Sequence, residues 1–218
     1  MLHLYALAAH PARIPSIGGI GDTKLAVVEI DASIDAIVSE VQAEPSEAAM
    51  LAHARVVEDL AAVNDAVLPA RFRSGYENEE VLGEAIRGRS AELGRALGRV
   101  RGCVEIGLRV LHGRSLHDDR ANTSGRDYMV GRLDAVRRAE RIAGELHESL
   151  AAAARESTSQ VLATQQLVLS AAYLLPRPEL ESFRAAVEEA ERARPGLTFV
   201  CTGPWPPYSF AVLGDEPR

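Results

Sequence analysis

The sequence predicts an α+β protein of two domains: an N-terminal α+β domain over residues 1–101 and a C-terminal domain over residues 102–218 that runs β-α-β-β-α-β. Three observations predict this. Short stretches with apolar residues at every second position are interleaved with longer ones whose apolar residues recur every three or four positions. Glycines and prolines punctuate the joints between them. The length, 218 residues, suits two small domains better than one large one. The composition, 47% hydrophobic and 25% charged, is that of a globular chain rather than a disordered one.

Leu2 to Ala8 reads as the first strand, closed by Pro11, Pro15 and the loop Gly18-Gly19-Ile20-Gly21-Asp22. That loop lacks the Lys-Ser/Thr of a phosphate-binding loop and the spacing of a dinucleotide fingerprint, so a flexible hairpin connection is expected. Leu25 to Ile30 is a second strand. Ile34, Ala36 and Val38 alternate as a third, although Ile34, Ile37, Val38 and Val41 would equally suit a helix. Ala48 to Asn64 is a helix with an apolar stripe through Leu51, Val56, Leu60 and Val63, beside which lies His53. Val67 to Arg73 is a short strand carrying Arg71, a residue suited either to a buried ion pair or to a carboxylate ligand. Val81 to Val100 is one long amphipathic helix, with Leu82, Ile86, Leu93, Leu97 and Val100 inward and Arg87, Arg95 and Arg99 on another face. Gly102 ends it.

In the second half, Cys103 to Leu111 alternates as a strand, with Val104, Ile106, Leu108 and Val110 on one side and Glu105 and Arg109 on the other. The following loop holds His112, His117, Asp118 and Asp119, which are metal-ligand residue types without a rigid spacing, so no metal or other cofactor is expected. Gly125 to Leu150 is a long helix with Leu133, Val136, Ala139, Ala143, Leu146 and Leu150 in register, and His147 beside them. Strands over Ser159 to Ala163 and Leu167 to Leu175, a helix over Glu179 to Ala193 and a strand over Leu197 to Thr202 complete the ferredoxin-like order.

Close to the C-terminus stands Thr202-Gly203-Pro204-Trp205-Pro206-Pro207-Tyr208-Ser209-Phe210, which holds the only Trp. Proline fixes φ, removes a donor and extends the residue before it, so a stiff extended segment is expected, excluding helix and interrupting any sheet ladder. Trp205, Tyr208 and Phe210 on such a segment serve either as core aromatics of a kinked edge strand or as a preformed surface for a partner. Elsewhere the chemistry is sparse. No nucleophile–base pair stands out, so no enzyme is predicted. A net charge of −7 argues against sequence-independent nucleic-acid binding. Cys103 and Cys201 are too few for a disulfide framework and are expected as buried free thiols of a reducing compartment. Met1 to Ala9 lacks a basic flank, and the uncharged run Ser157 to Pro176 is broken by Gln160, Gln165 and Gln166, so neither a signal peptide nor a membrane span is expected, and a cytoplasmic location follows.

TGPWPPYSF resembles the C-terminal signature of the gas vesicle accessory protein family GvpF/GvpL. Further matches stand in the family's order: Val38-Ser39-Glu40-Val41, His53-Ala54-Arg55-Val56-Val57, Leu68-Pro69-Ala70-Arg71-Phe72, Gly102-Cys103-Val104-Glu105, Gly125-x-x-Tyr128-Met129-x-x-Arg132 and Tyr173-Leu174-Leu175. The chain departs from the pattern at Ala54, where Glu is usual, and at Arg73, where the family has Gly. The resemblance implies a modified ferredoxin-like C-terminal domain. It further implies an assembly factor or minor shell component that binds the main gas vesicle shell protein, and other accessory proteins. The residues expected to meet such a partner are Trp205, Pro206, Pro207, Tyr208 and Phe210, with Arg71, Arg87, Arg95 and Arg99. The alternative is an enzyme or small-molecule sensor that uses a cleft between the domains.

Overall fold

The computed structural model describes residues 1–41, 45–112, 125–160 and 167–211, and side chains of the helix that starts at Gly125 from residue 137 onward. These residues form a mixed α+β fold with two sheets and five α-helices. Contacts divide the chain into two compact units, Met1–Val104 with the segment that starts at Trp205, and Glu105–Pro204. This grouping sets the C-terminal aromatic segment with the first unit, whereas the sequence reading carries the second domain through to residue 218.

The first unit is built on β1 (Leu2–Ala9), which pairs antiparallel with β3 (Ile34–Glu40), β4 (Val67–Pro69) and the short β5 (Gly75–Tyr76), while β2 (Ala26–Asp31) pairs with β3 at the edge. The segment from Ile34 is therefore a strand, not the alternative helix. Residues 2 to 8 of β1 are all buried, which requires cover on both faces. Helix α1 (Glu47–Val63) packs on β1 and β4, whereas α2 (Glu79–Arg87) and α3 (Ser90–Val100) lie against β2, β1 and β4.

Two helices thus stand where one was expected. The break falls at Gly88-Arg89, and α2 starts on Asn78, whose side chain accepts from the Val81 N–H at 3.0 Å. The stripe of α1 also differs from the expected one. Ala49, His53, Val56, Val57 and Leu60 face inward, while Leu51 is 61% exposed and Val63 39%. An alanine-rich helix carries a weak periodic signal, and the rotation of its buried face is read incorrectly from the larger residues alone.

The pairing of β1 with β3 slips between Leu4 and Ala6, a bulge at Tyr5. Tyr5 is fully buried, and its hydroxyl accepts from the Ile20 N–H at 2.8 Å and bonds Ser39 Oγ at 2.9 Å. The glycine loop is consequently docked rather than flexible. A Cβ on Gly19 would lie 2.5 Å from the Tyr5 hydroxyl, so glycine is required there for close approach. Asp35, also buried, accepts from His10 Nδ1–H at 3.1 Å and from the Ala12 N–H at 2.8 Å.

The second unit contains α4 (Gly125–Ala151), β7 (Glu156–Gln160), β8 (Leu167–Pro176), α5 (Leu180–Arg192) and all but the boundary residues of β6 (Cys103–His112) and β9 (Leu197–Trp205), in sheet order β7-β8-β6-β9. Ile106, Leu108 and Val110 are buried as expected, with Arg109 outward, but Glu105 is buried too. From the helices, Ala139, Ala143, Leu146, Leu150, Phe183 and Val187 are buried. β7 begins three residues before its expected start, and the part of that expectation beyond Gln160 lies outside the described residues. So do the loop residues His117, Asp118 and Asp119, and the side chains of Leu133 and Val136. β9 continues through Pro204, so proline does not interrupt the strand; among the described residues β9 is an edge strand, where a missing donor is tolerated.

After β4 the chain turns through Arg71 to Ser74, closed by Ser74 N–H to the Arg71 carbonyl at 3.1 Å, and Arg73 occupies φ +78°. That is the third turn position, which favours glycine. The turn is held with a non-glycine residue there because Ser74 is also fixed through its carbonyl, which accepts from the Leu4 N–H at 2.8 Å. Arg73→Gly should raise stability by roughly 0.5–1 kcal/mol in urea denaturation, since the left-handed conformation costs a side chain about 1–2 kcal/mol and glycine loses part of that gain in unfolded-chain entropy. An unchanged or lower midpoint would contradict a strained turn.

Candidate partner-binding surfaces

The C-terminal segment divides by orientation. Trp205 is 43% and Tyr208 39% exposed, whereas Pro206 and Pro207 are buried and Phe210 is only 5% exposed. Tyr208–Phe210 forms a 3-10 turn, with Tyr208 N–H donating to the Pro206 carbonyl at 2.8 Å and Phe210 N–H to that of Pro207 at 3.2 Å. The turn lies beside β4 within the first unit. The expected extended run therefore ends at Pro207, and Phe210 belongs to the core. Its neighbours Trp205 and Tyr208 are held outward by residues that are themselves held inward, which limits the rotamer entropy they would lose on contact.

The arginines do not form one face. Arg71 is exposed, and its carbonyl accepts from Ser74 N–H and Ser74 Oγ–H. Arg87 ends α2, with its guanidinium over Gly83. Arg95 and Arg99 stand on the exposed side of α3, one turn apart, and line with Glu92 and Gly98 an open depression of about 600 Å³. Glu92 is held by Arg89 through two bonds of 3.0 and 3.1 Å. The hydrogen bonds from Arg89 set the Glu92 carboxyl below its usual range, with Arg95 and Arg99 adding to the effect. The depression is therefore cationic on balance and suits an acidic group.

The other concentration of titratable groups is internal. His53 Nε2 lies 3.0 Å from the Ala70 carbonyl, which can only accept, so Nε2 carries the proton. Its Nδ1, 2.8 Å from His3 Nε2, then accepts from His3. Tyr5 stacks on His53 at 5.4 Å, and Phe72 closes the cluster at 5.8 Å. Both histidines are almost fully buried, at 6% and 3% exposure, and both ring nitrogens of His53 are engaged. They act as hydrogen-bonding core groups joining α1 to β1 and to the chain after β4. His53 thus belongs to the buried stripe of α1 rather than beside it, and the signal for His3 in the sequence is only a polar residue at an inward position of an apolar strand. His147 Nδ1 is hydrogen-bonded to the buried Tyr173 hydroxyl at 3.2 Å. Of the two cysteines, Cys103 is buried but Cys201 is exposed, contrary to expectation.

Burial, and then the charge of His53, lowers the His3 pKa from 6.5 to about 4, and burial lowers that of His53 as well. Both groups bind more protons unfolded than folded below pH 6.5. The stability these two groups contribute should therefore be present above about pH 6.5 and fall toward pH 4, with each group contributing at most about 1.4 kcal/mol per pH unit. His3→Gln, which keeps a donor, should make that fall shallower in denaturant titrations at several pH values; an unchanged slope would contradict the assignment.

Comparison with known proteins agrees with this architecture. The family described as "Gas vesicle synthesis protein GvpL/GvpF" matches residues 1–212. Gas vesicle protein F2 of Halobacterium salinarum is 28% identical over 205 residues, 91% of this chain and 85% of its own length. Gas vesicle protein L of Streptomyces sp. is 30% identical over 187 residues, 76% of this chain and 69% of its own. The crystal structure of the gas vesicle protein GvpF from Anabaena sp. PCC7120 has a TM-score of 0.81 at 21% identity, covering 100% of this chain and 98% of that one. That of GvpF from Microcystis aeruginosa has a TM-score of 0.77 at 20% identity, covering 97% and 99%. The relatives are named as gas vesicle proteins rather than as enzymes, and no helix among the described residues is long and apolar enough to cross a membrane. A family match over nearly the whole length, with the fold shared by two solved GvpF structures, shows that the chain belongs to the gas vesicle synthesis protein GvpL/GvpF family and has a role in gas vesicle formation.

Proposed function

We propose that this chain is a cytoplasmic assembly factor or minor shell component that binds the main gas vesicle shell protein through Trp205 and Tyr208. The observation that carries the reading is the split in the C-terminal segment: two large aromatics point outward on a backbone whose adjacent Pro206, Pro207 and Phe210 point inward. Aromatic anchors of this kind supply a disproportionate share of binding energy. The cationic depression at Arg95 and Arg99 offers a second contact, for acidic groups of the same partner or of another accessory protein. We also read the chain as two domains, the second ferredoxin-like; the order β6-α4-β7-β8-α5-β9 with sheet order β7-β8-β6-β9 supports this.

Co-purification of the full chain with a co-expressed gas vesicle shell protein tests the proposal. Trp205→Ala with Tyr208→Ala should weaken binding by roughly tenfold or more without shifting the unfolding midpoint. Phe210→Ala should instead lower stability by about 3–5 kcal/mol, because it empties a core position. Undiminished binding by the Trp205/Tyr208 variant would remove the segment as the contact.

A further inference from the structure

The outer edge of β9 is closed by two side chains of α5. The Phe199 N–H donates to Glu191 Oε1 at 3.3 Å, and Arg184 Nη2 donates to the Gly203 carbonyl at 3.2 Å. Among the described residues β9 has one sheet neighbour, β6. Successive residues of a strand direct their backbone groups to opposite edges, so Phe199, Cys201 and Gly203 share the edge away from β6. The two edges of this sheet differ in character. β7, at the far side, is polar and carries Glu156, a common protection against edge pairing. β9 reads LTFVCTGPW, without a charge over its whole length, and Val200 and Cys201 are exposed.

The spacing of the two closed groups identifies an occupant. When two β9 strands lie antiparallel about a two-fold axis at Cys201, Phe199 of one copy stands opposite Gly203 of the other. The Phe199 N–H then meets the Gly203 carbonyl of the second copy, and the same bond forms again on the other side of the axis. These are the groups that Glu191 and Arg184 satisfy within a single chain. The side chains so released are complementary too, because Arg184, whose Nη1 also donates to Glu181 Oε1 of its own helix at 3.2 Å, stands at the Gly203 end and faces the second copy's Glu191 at its Phe199 end. An uncharged strand adds no like-charge repulsion at the seam, although the chain as a whole carries −7. We infer that the β9 edge is a self-association site at which two copies join their four-stranded sheets antiparallel, with Glu191 and Arg184 covering the edge in the single chain and pairing across the axis in the dimer. This site is separate from the aromatic contact proposed above and does not depend on it.

The test combines sedimentation of the full chain over a wide concentration range with cross-linking by a short bis-maleimide. Cys201 is exposed, and Cys103, buried, is replaced by Ser as a control. A concentration-dependent dimer linked through Cys201 is expected. Arg184→Glu, which sets two glutamates against each other, should weaken the dimer roughly tenfold or more, and Arg184→Glu with Glu191→Arg should restore it. Cys201→Glu, at an exposed position, supplies a second block if Arg184→Glu disturbs folding, as circular dichroism would show. A chain monomeric at every concentration, a dimer without the Cys201 link, or a dimer indifferent to both glutamate variants would overturn the inference. So would a monomer whose Cys201 becomes protected only when a shell protein is added, which would give the edge to another chain.

Discussion

The hydroxyl of Tyr5 lies in the core of the first unit, where an unpartnered polar group would cost several kcal/mol. Its position fixes much of what surrounds it. The bulge in β1 directs Tyr5 against the backbone of the glycine loop at Ile20 and the Ser39 side chain on β3. The next inward polar residue toward the N-terminus, His3, meets His53 from α1, and His53 in turn meets the Ala70 carbonyl just after β4. A central strand, its hairpin partner, a loop, a helix and the start of the following turn are thus tied by directional bonds. The apolar cluster around Val56, Val57, Leu60, Ile37 and Val67 supplies the bulk of the burial. The polar bonds restrict that burial to one register, since slippage would leave buried donors unmet.

The partner surface depends on the same frame. The turn Tyr208–Phe210 rests beside β4, which is positioned by its pairing with β1. Buried proline and phenylalanine therefore convert a short terminal segment into a rigid mount. Rigidity matters for contact with a partner because the entropy of holding Trp205 and Tyr208 outward is lost on folding rather than on binding.

Much of this was legible in the sequence where a signal is local and strong. The α+β class, the strand starts at Leu2 and Cys103, and the stop at Gly102 follow from period and punctuation, whereas the period at Ile34 fits strand and helix alike, and the family resemblance rests on TGPWPPYSF and its ordered companions. What was not legible depends on tertiary context. The alanines of α1 fit either side of the helix, so the larger Leu51 and Val63 pointed to the wrong face. The pause at Gly88 was hidden because Leu82, Ile86, Leu93 and Leu97 keep a helical spacing across it. No pattern distinguishes Phe210, which is buried, from Trp205 two prolines earlier, which is not; only the turn after Pro207 decides. The pairing of His3 with His53 joins positions 50 residues apart and has no local trace.

Trp205 is the only tryptophan, so its fluorescence reports on the proposed contact without a label. The direct measurement is the emission and iodide quenching of the full chain before and after addition of a gas vesicle shell protein. An exposed indole should emit at long wavelength and quench readily in the free chain, then shift to shorter wavelength and become protected as the shell protein saturates it. Emission and quenching that stay unchanged while the two proteins co-sediment would show that the shell protein binds elsewhere, and would contradict the assignment of Trp205 and Tyr208 as its anchors.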